Sequence, residues 1–163
     1  MTMTASSCVF CRIVAGDSEA SVIWQDKDAM ALMNLRGVNK GDCMVIPKEH
    51  IDHFTSIPDL LAAKMLLVAQ RIGRRILDLY KPQRIGYVVH GYGVPHAHLL
   101  IVPQNHPTDI TSRKFMQVVD GEIECSEKLL PLIPREELDR MAAELEIENP
   151  PGFLLSERQT DSN

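Results

Sequence analysis

The chain has 163 residues, 45% hydrophobic and 24% charged, which suits one soluble globular domain with a sizeable core and gives no reason to expect two. A net charge of -5 argues against general binding to nucleic acid, which needs clustered cations, but leaves room for small phosphorylated ligands held by local dipoles. No apolar run approaches the ~20 residues that cross a bilayer, and Met1-Thr-Met-Thr-Ala-Ser-Ser7 lacks the basic and apolar regions of a secretory signal, so no membrane association and a cytoplasmic location are expected.

Cys8-Val-Phe-Cys11 is a Cys-x-x-Cys pair, a spacing that lets two thiolates hold one zinc ion. No strand pattern precedes it, which removes a thioredoxin-like redox unit. There is no second such pair, so two further ligands would be histidine or carboxylate. The histidine candidates are His50, His53, His90, His96, His98 and His106, and the alternative is a reduced pair without metal. Cys43 and Cys125 stand alone and read as buried or incidental.

Ser21–Gln25 and Ala29–Leu35 are apolar segments separated by the polar turn Asp26-Lys-Asp28, which predicts a hairpin. Gly37, Asn39 and Gly41 mark a loop before a third strand, Cys43–Ile46, ended by Pro47. Leu60, Leu61, Lys64, Leu67, Val68, Arg71, Ile72, Arg75, Ile76 and Leu79 recur at helical spacing. They predict a long helix from Pro58 to Tyr80, stopped near Lys81-Pro82, with an apolar stripe on the sheet and cations toward water. Ile85–Val89 and Ala97–Val102 supply two more strands, joined by a turn at Gly91 and Gly93. Beyond Pro103, Asp109-Ile-Thr-Ser112 caps or turns a segment, Pro134 opens a helix through Glu144, and Pro150-Pro151 begins a loose tail with no assigned chemistry. Strands, then a helix, then strands point to an antiparallel α+β domain.

The run Gly91-Tyr-Gly-Val-Pro-His96-Ala-His98-Leu-Leu-Ile-Val-Pro103 places two imidazoles at the head of an apolar strand. Side chains at i and i+2 share a strand face, so His96, His98, Leu100 and Val102 should project to one side, and Ala97, Leu99 and Ile101 to a core. Imidazole can be nucleophile, acid, base or metal ligand near neutral pH. The pair therefore reads either as a reactive site or as two histidines satisfied by hydrogen bonds at a sheet edge.

Cys8-Val-Phe-Cys-Arg-Ile-Val-Ala-Gly16, Ala31-Leu-Met-Asn34, Gly41-Asp-Cys-Met-Val-Ile-Pro-Lys-Glu-His50 and Val94-Pro-His-Ala-His98, in that order, resemble the histidine triad (HIT) family from Cys8 to Pro103. The resemblance implies a HIT-like α+β fold with an antiparallel sheet of about five strands, one long helix and a C-terminal helical extension. It divides the chain into a nucleotide-binding domain over residues 1–110 and an extension over 111–163. It also implies a homodimer formed through the long helix, whose amphipathicity would equally suit packing on its own sheet.

The family resemblance implies a hydrolase or nucleotidyl transferase acting on purine nucleoside phosphates at the α-phosphate, with His98 as the nucleophile. The third histidine of the family's motif is Leu100 here, which can neither donate a hydrogen bond nor take a proton. Activity is expected to be slow or selective for that reason, and the alternative is a nucleotide-binding or sensing protein with little turnover. His90 stands where an asparagine is expected and reads as a substitute proton donor or an ordinary strand-end histidine. Tyr92 and Gly93 occupy places where relatives carry a glutamine and a hydroxyl residue, and the amides around Gly91 and Gly93 could hold phosphate oxygens. Asn34 takes the place of an aspartate that grips ribose hydroxyls, and Ile13, Leu32 and Leu35 match apolar positions that sandwich a base. The resemblance further implies a structural zinc on Cys8, Cys11, His50 and His96, the last also bordering the nucleotide.

Overall fold

The computed structural model describes residues 7–110 and 116–149. The readings made on Met1–Ser6, on Thr111 and Ser112, and on the tail from Pro150 lie outside the described residues. In chain order the elements are helix α1 (Val9–Ala15), strands β1 (Val22–Gln25), β2 (Ala29–Met33) and β3 (Cys43–Pro47), helix α2 (Asp59–Tyr80), strands β4 (Arg84–Val88), β5 (Leu99–Gln104), β6 (Met116–Val119) and β7 (Glu122–Cys125), and helix α3 (Arg135–Leu145). The first five strands form one antiparallel sheet in the order β1-β2-β3-β5-β4, and β6 and β7 form a separate hairpin. The fold is the α+β arrangement expected from the sequence.

Both faces of the sheet are covered, and alternation along the strands divides the core in two. Ala29, Ala31, Met33, Cys43, Val45, Ala97, Leu99 and Ile101 face α2 and α3, whereas Met30, Leu32, Met44 and Ile46 join Cys8 and Phe10 from α1, with Leu100 packed alongside. This explains why β2 and β3 are buried at every position. The β1–β2 turn is closed by the Asp26 carboxylate, which accepts from the amides of Asp28 at 2.8 Å and Ala29 at 2.9 Å. β2 stops at Met33 and does not run on to Leu35, because the Asn34 side-chain oxygen accepts from the Arg36 amide at 3.2 Å and turns the chain.

Helix α2 runs over nearly the predicted span, and its buried stripe is Met65, Val68, Ala69, Ile72, Gly73 and Ile76. Leu60 and Leu79, placed on the apolar stripe by spacing, are exposed, as are Leu66 and Leu77. A Cβ on Gly73 would collide with the Tyr87 hydroxyl, so this glycine lets α2 lie directly on β4. The stop is a left-handed Lys81, whose amide bonds the Leu77 carbonyl at 3.2 Å just before Pro82.

Helix α3 closes the other end of the large core with Leu138, Met141, Ala142 and Leu145. The Tyr80 hydroxyl donates to Glu144 at 2.6 Å and lashes α2 to α3, and burial together with Glu144 holds that phenol well above its ordinary pKa. Ser21, before β1, donates to Asp139 at 2.5 Å on the same helix.

Lys64 on α2 binds Asp26 at 2.8 Å and Asp28 at 2.5 Å, tying the long helix to the hairpin turn. Burial alone would raise the Asp26 carboxyl, but hydrogen bonds from Lys64 and the two turn amides outweigh it and hold the pKa below normal. A carboxylate depressed in this way stabilises the fold above its unfolded pKa of about 3.9, and that contribution disappears as pH falls through the lower folded value. Asp26→Asn should therefore lower stability at neutral pH and flatten its acid limb. Denaturant melts across pH 2–6 would check this, and parallel curves for both proteins would refute the assignment.

Candidate functional site

Cys8 is the N-cap of α1, with its carbonyl accepting from the Arg12 amide at 3.1 Å, and Cys11 lies one turn on, so both sulfurs share a helix face. The helix is only seven residues long and ends at Gly16, which takes the left-handed conformation at φ 83°. Opposite this face, β3 ends at Pro47 and leads to His50. The chain entering β5 brings His96 alongside, tied in by the Ala97 amide on the Ile51 carbonyl at 2.6 Å. β5 itself begins only at Leu99, so His96 and His98 lie in the irregular lead-in and not on the strand proper.

The Cys8 sulfur lies 3.5 Å from His96 Nδ1, and the Cys11 sulfur lies 3.2 Å from His50 Nδ1 and 3.6 Å from His96 Nδ1. The four ligand atoms all fall within 4.8 Å of one another. A tetrahedral metal with bonds of about 2.3 Å to sulfur and 2.0 Å to nitrogen has sulfur-to-nitrogen edges of about 3.5 Å, so these side chains are spaced to hold one such ion. His96 is fully buried, and its Nε2 hydrogen donates to the Pro47 carbonyl at 2.9 Å, which turns the Nδ1 lone pair toward the sulfurs. Burial keeps His96 below the ordinary imidazole pKa despite the carbonyl that favours its protonated form. Burial and the neighbouring Cys8 push the Cys11 thiol up to about 11, a direction that a cation among the four groups would reverse.

Of the other histidines considered as ligands, His53 faces Asp52 at 3.8 Å, and His106 pairs with Thr108 at 2.8 Å. His98 is turned elsewhere. Its Nδ1 lies 2.8 Å from the His96 carbonyl, so in the neutral ring Nδ1–H donates and the lone pair is left on Nε2. The ring is half-buried and meets Phe10 edge-on, centroids 5.8 Å apart; the same Phe10 also meets His96 at 5.6 Å. Phe10 thus fixes both imidazoles, a role missed in the sequence although it lies inside the Cys-x-x-Cys pair.

Ile13 and Leu32 pack in the cluster that contains Leu100, and Leu35 stands exposed just beyond β2. The Asn34 amide is partly engaged: its nitrogen donates to Asp42 at 3.2 Å while its oxygen accepts from Arg36. That leaves one N–H and one lone pair for a ligand. His90, Gly91, Tyr92 and Gly93 form an exposed turn, with Gly93 left-handed at φ 99° and the His90 and Tyr92 rings 6.3 Å apart. Among the described residues no helix is long and apolar enough to cross a membrane.

The HIT domain family matches residues 15–107. The chain is 31% identical over 105 residues to the Bacillus subtilis "Protein hit", covering 61% of this chain and 72% of that one. It is 30% identical over 100 residues to an adenosine 5'-monophosphoramidase of Schizosaccharomyces pombe, covering 60% and 74%. Among solved structures, a Zn-bound histidine triad family protein from Mycobacterium smegmatis superposes with a TM-score of 0.66 at 28% identity, over 87% of this chain and 95% of that one. With residues 15–107, more than half of its length, matched in this way, the chain belongs to the HIT domain family.

Proposed function

We propose that the protein is a nucleotide hydrolase or nucleotidyl transferase that acts at the α-phosphate of a purine nucleoside phosphate through a covalent nucleotidyl-histidine at His98. The observation that carries this reading is the His98–His96 carbonyl bond, because it leaves the Nε2 lone pair available on a ring that meets Phe10 edge-on. In the first step Nε2 attacks phosphorus while the bond to the leaving group breaks and its electron pair departs with that group. Water then attacks the phosphorus and gives up a proton to solvent, from which the departed leaving group takes one, while the phosphorus–nitrogen bond breaks, the nucleoside monophosphate leaves, and the ring recovers its lone pair. Ile13, Leu32 and Leu35 would hold the base, the remaining Asn34 donor and acceptor the ribose hydroxyls, and the Gly91–Gly93 turn the phosphate. His96 would border the nucleotide from the metal side.

The donor set supports zinc on Cys8, Cys11, His50 and His96, a closed site that pins α1, and with it Phe10 and Ile13, against the lead-in to His98. The exposed Leu66 and Leu77 on α2 suit the homodimer that the resemblance implies. A second reading, a nucleotide sensor with little turnover, is favoured by Leu100, which packs among apolar residues in the place of a third histidine, and by His90, which faces Tyr92 in an exposed turn.

Steady-state hydrolysis of adenosine 5'-phosphoramidate tests the choice. Turnover that rises about tenfold or more in Leu100→His, where a proton donor is restored, supports the enzyme. Tight AMP binding with no turnover in either protein supports the sensor.

A further inference from the structure

The loop between β2 and β3 carries Asn34 and Leu35, and it is fastened from outside by the chain that follows β7. The Arg36 guanidinium donates through Nη1 to the carbonyl of Leu130 and, at 3.4 Å, to that of Lys128. The Ile133 amide donates to the Leu35 carbonyl at 3.0 Å. Leu130 is buried and Ile133 packs against the large core, so the strap is anchored at its far end. Within the loop, the Arg36 amide is the group that fixes the Asn34 side-chain oxygen. The strapping residues all lie beyond residue 107, where the family match ends.

We infer that Arg36 is a positioning residue for the nucleoside subsite, setting Asn34 and Leu35 at the angle in which they meet ribose and base by gripping residues 128–133. The inference rests on the assignment of Asn34 and Leu35 to the nucleoside. Freed from the two carbonyls, Arg36 no longer holds the turn, its backbone amide shifts against the Asn34 oxygen, the Asn34 amide keeps only its Asp42 contact at 3.2 Å, and more of the ordering of the loop falls to the ligand. His98, Phe10 and the Cys/His cluster are held by other contacts, so the chemical step and metal content should be untouched. The extension therefore acts on affinity for the nucleoside and not on attack at phosphorus.

The test is AMP binding by calorimetry and the kinetics of adenosine 5'-phosphoramidate hydrolysis, on the full chain and on Arg36→Met, Arg36→Lys and Ile133→Pro. Arg36→Met keeps the apolar stem and should raise Kd and KM about tenfold with kcat within about twofold of the parent, and Arg36→Lys should recover part of the loss. Should Arg36→Met fail to fold, Ile133→Pro, which removes the backbone donor to Leu35, carries the same comparison. An unchanged Kd in a folded variant, or a fall in kcat with KM unchanged, overturns the inference while leaving His98 chemistry intact. A parent protein that does not bind AMP overturns the inference and the nucleoside assignment together.

Discussion

His98→Ala should abolish hydrolysis of adenosine 5'-phosphoramidate, lowering kcat by about 10⁴-fold or more, because removal of a nucleophile eliminates the covalent route and does not merely slow it. The ring is half-buried and its hydrogen bond runs to backbone, so the fold should survive the change. Retained zinc and a melting temperature close to the parent's would show that the loss is chemical. AMP should still bind, since the proposed base and ribose contacts come from Ile13, Leu32, Leu35 and Asn34. A variant that binds AMP as before and turns over at a comparable rate would remove His98 from the mechanism.

The second large effect is expected at the cysteines. The double variant Cys8→Ser, Cys11→Ser should lose stoichiometric zinc and melt about 10 °C below the parent, since the site joins a seven-residue helix to two distant segments of chain. A helix this short has little stability of its own, so without the clamp Phe10 and Ile13 lose their places beside the histidines. Turnover should fall with the metal content, and chelator treatment of the parent should reproduce both changes. Zinc retained at the parent's level by the double variant would place any metal elsewhere.

The elements that were legible in the sequence are those with long or strict patterns. The stripe through Val68, Ile72 and Ile76 gave α2 almost to the residue, and alternation in Ala97, Leu99 and Ile101 put those side chains in the large core. The Cys8, Cys11, His50 and His96 set came from the family resemblance, and the side chains do converge.

Other features had no local signal. Helix α1 spans two turns around a Cys-x-x-Cys pair and is held by its contacts rather than by amphipathic periodicity. The β6–β7 hairpin is exposed along its described side chains, including Val118 and Ile123, so burial imposed no pattern there. Phe10 against two imidazoles, and Arg36 against Lys128 and Leu130, join residues about 90 positions apart, a separation that one sequence cannot reveal. Exposed Leu60 and Leu79 show the converse: helical spacing alone overcounted the buried stripe.

The most direct test of the covalent step is intact mass spectrometry of the parent protein, acid- and base-quenched within its first turnovers on adenosine 5'-phosphoramidate. Peptide mapping then locates any label. The expected result is an adenylyl group on His98 that is lost in acid, survives base as a phosphoramidate does, and is missing from His98→Ala. Product released with no adduct at any time, or an adduct on another side chain, would contradict nucleophilic attack by His98.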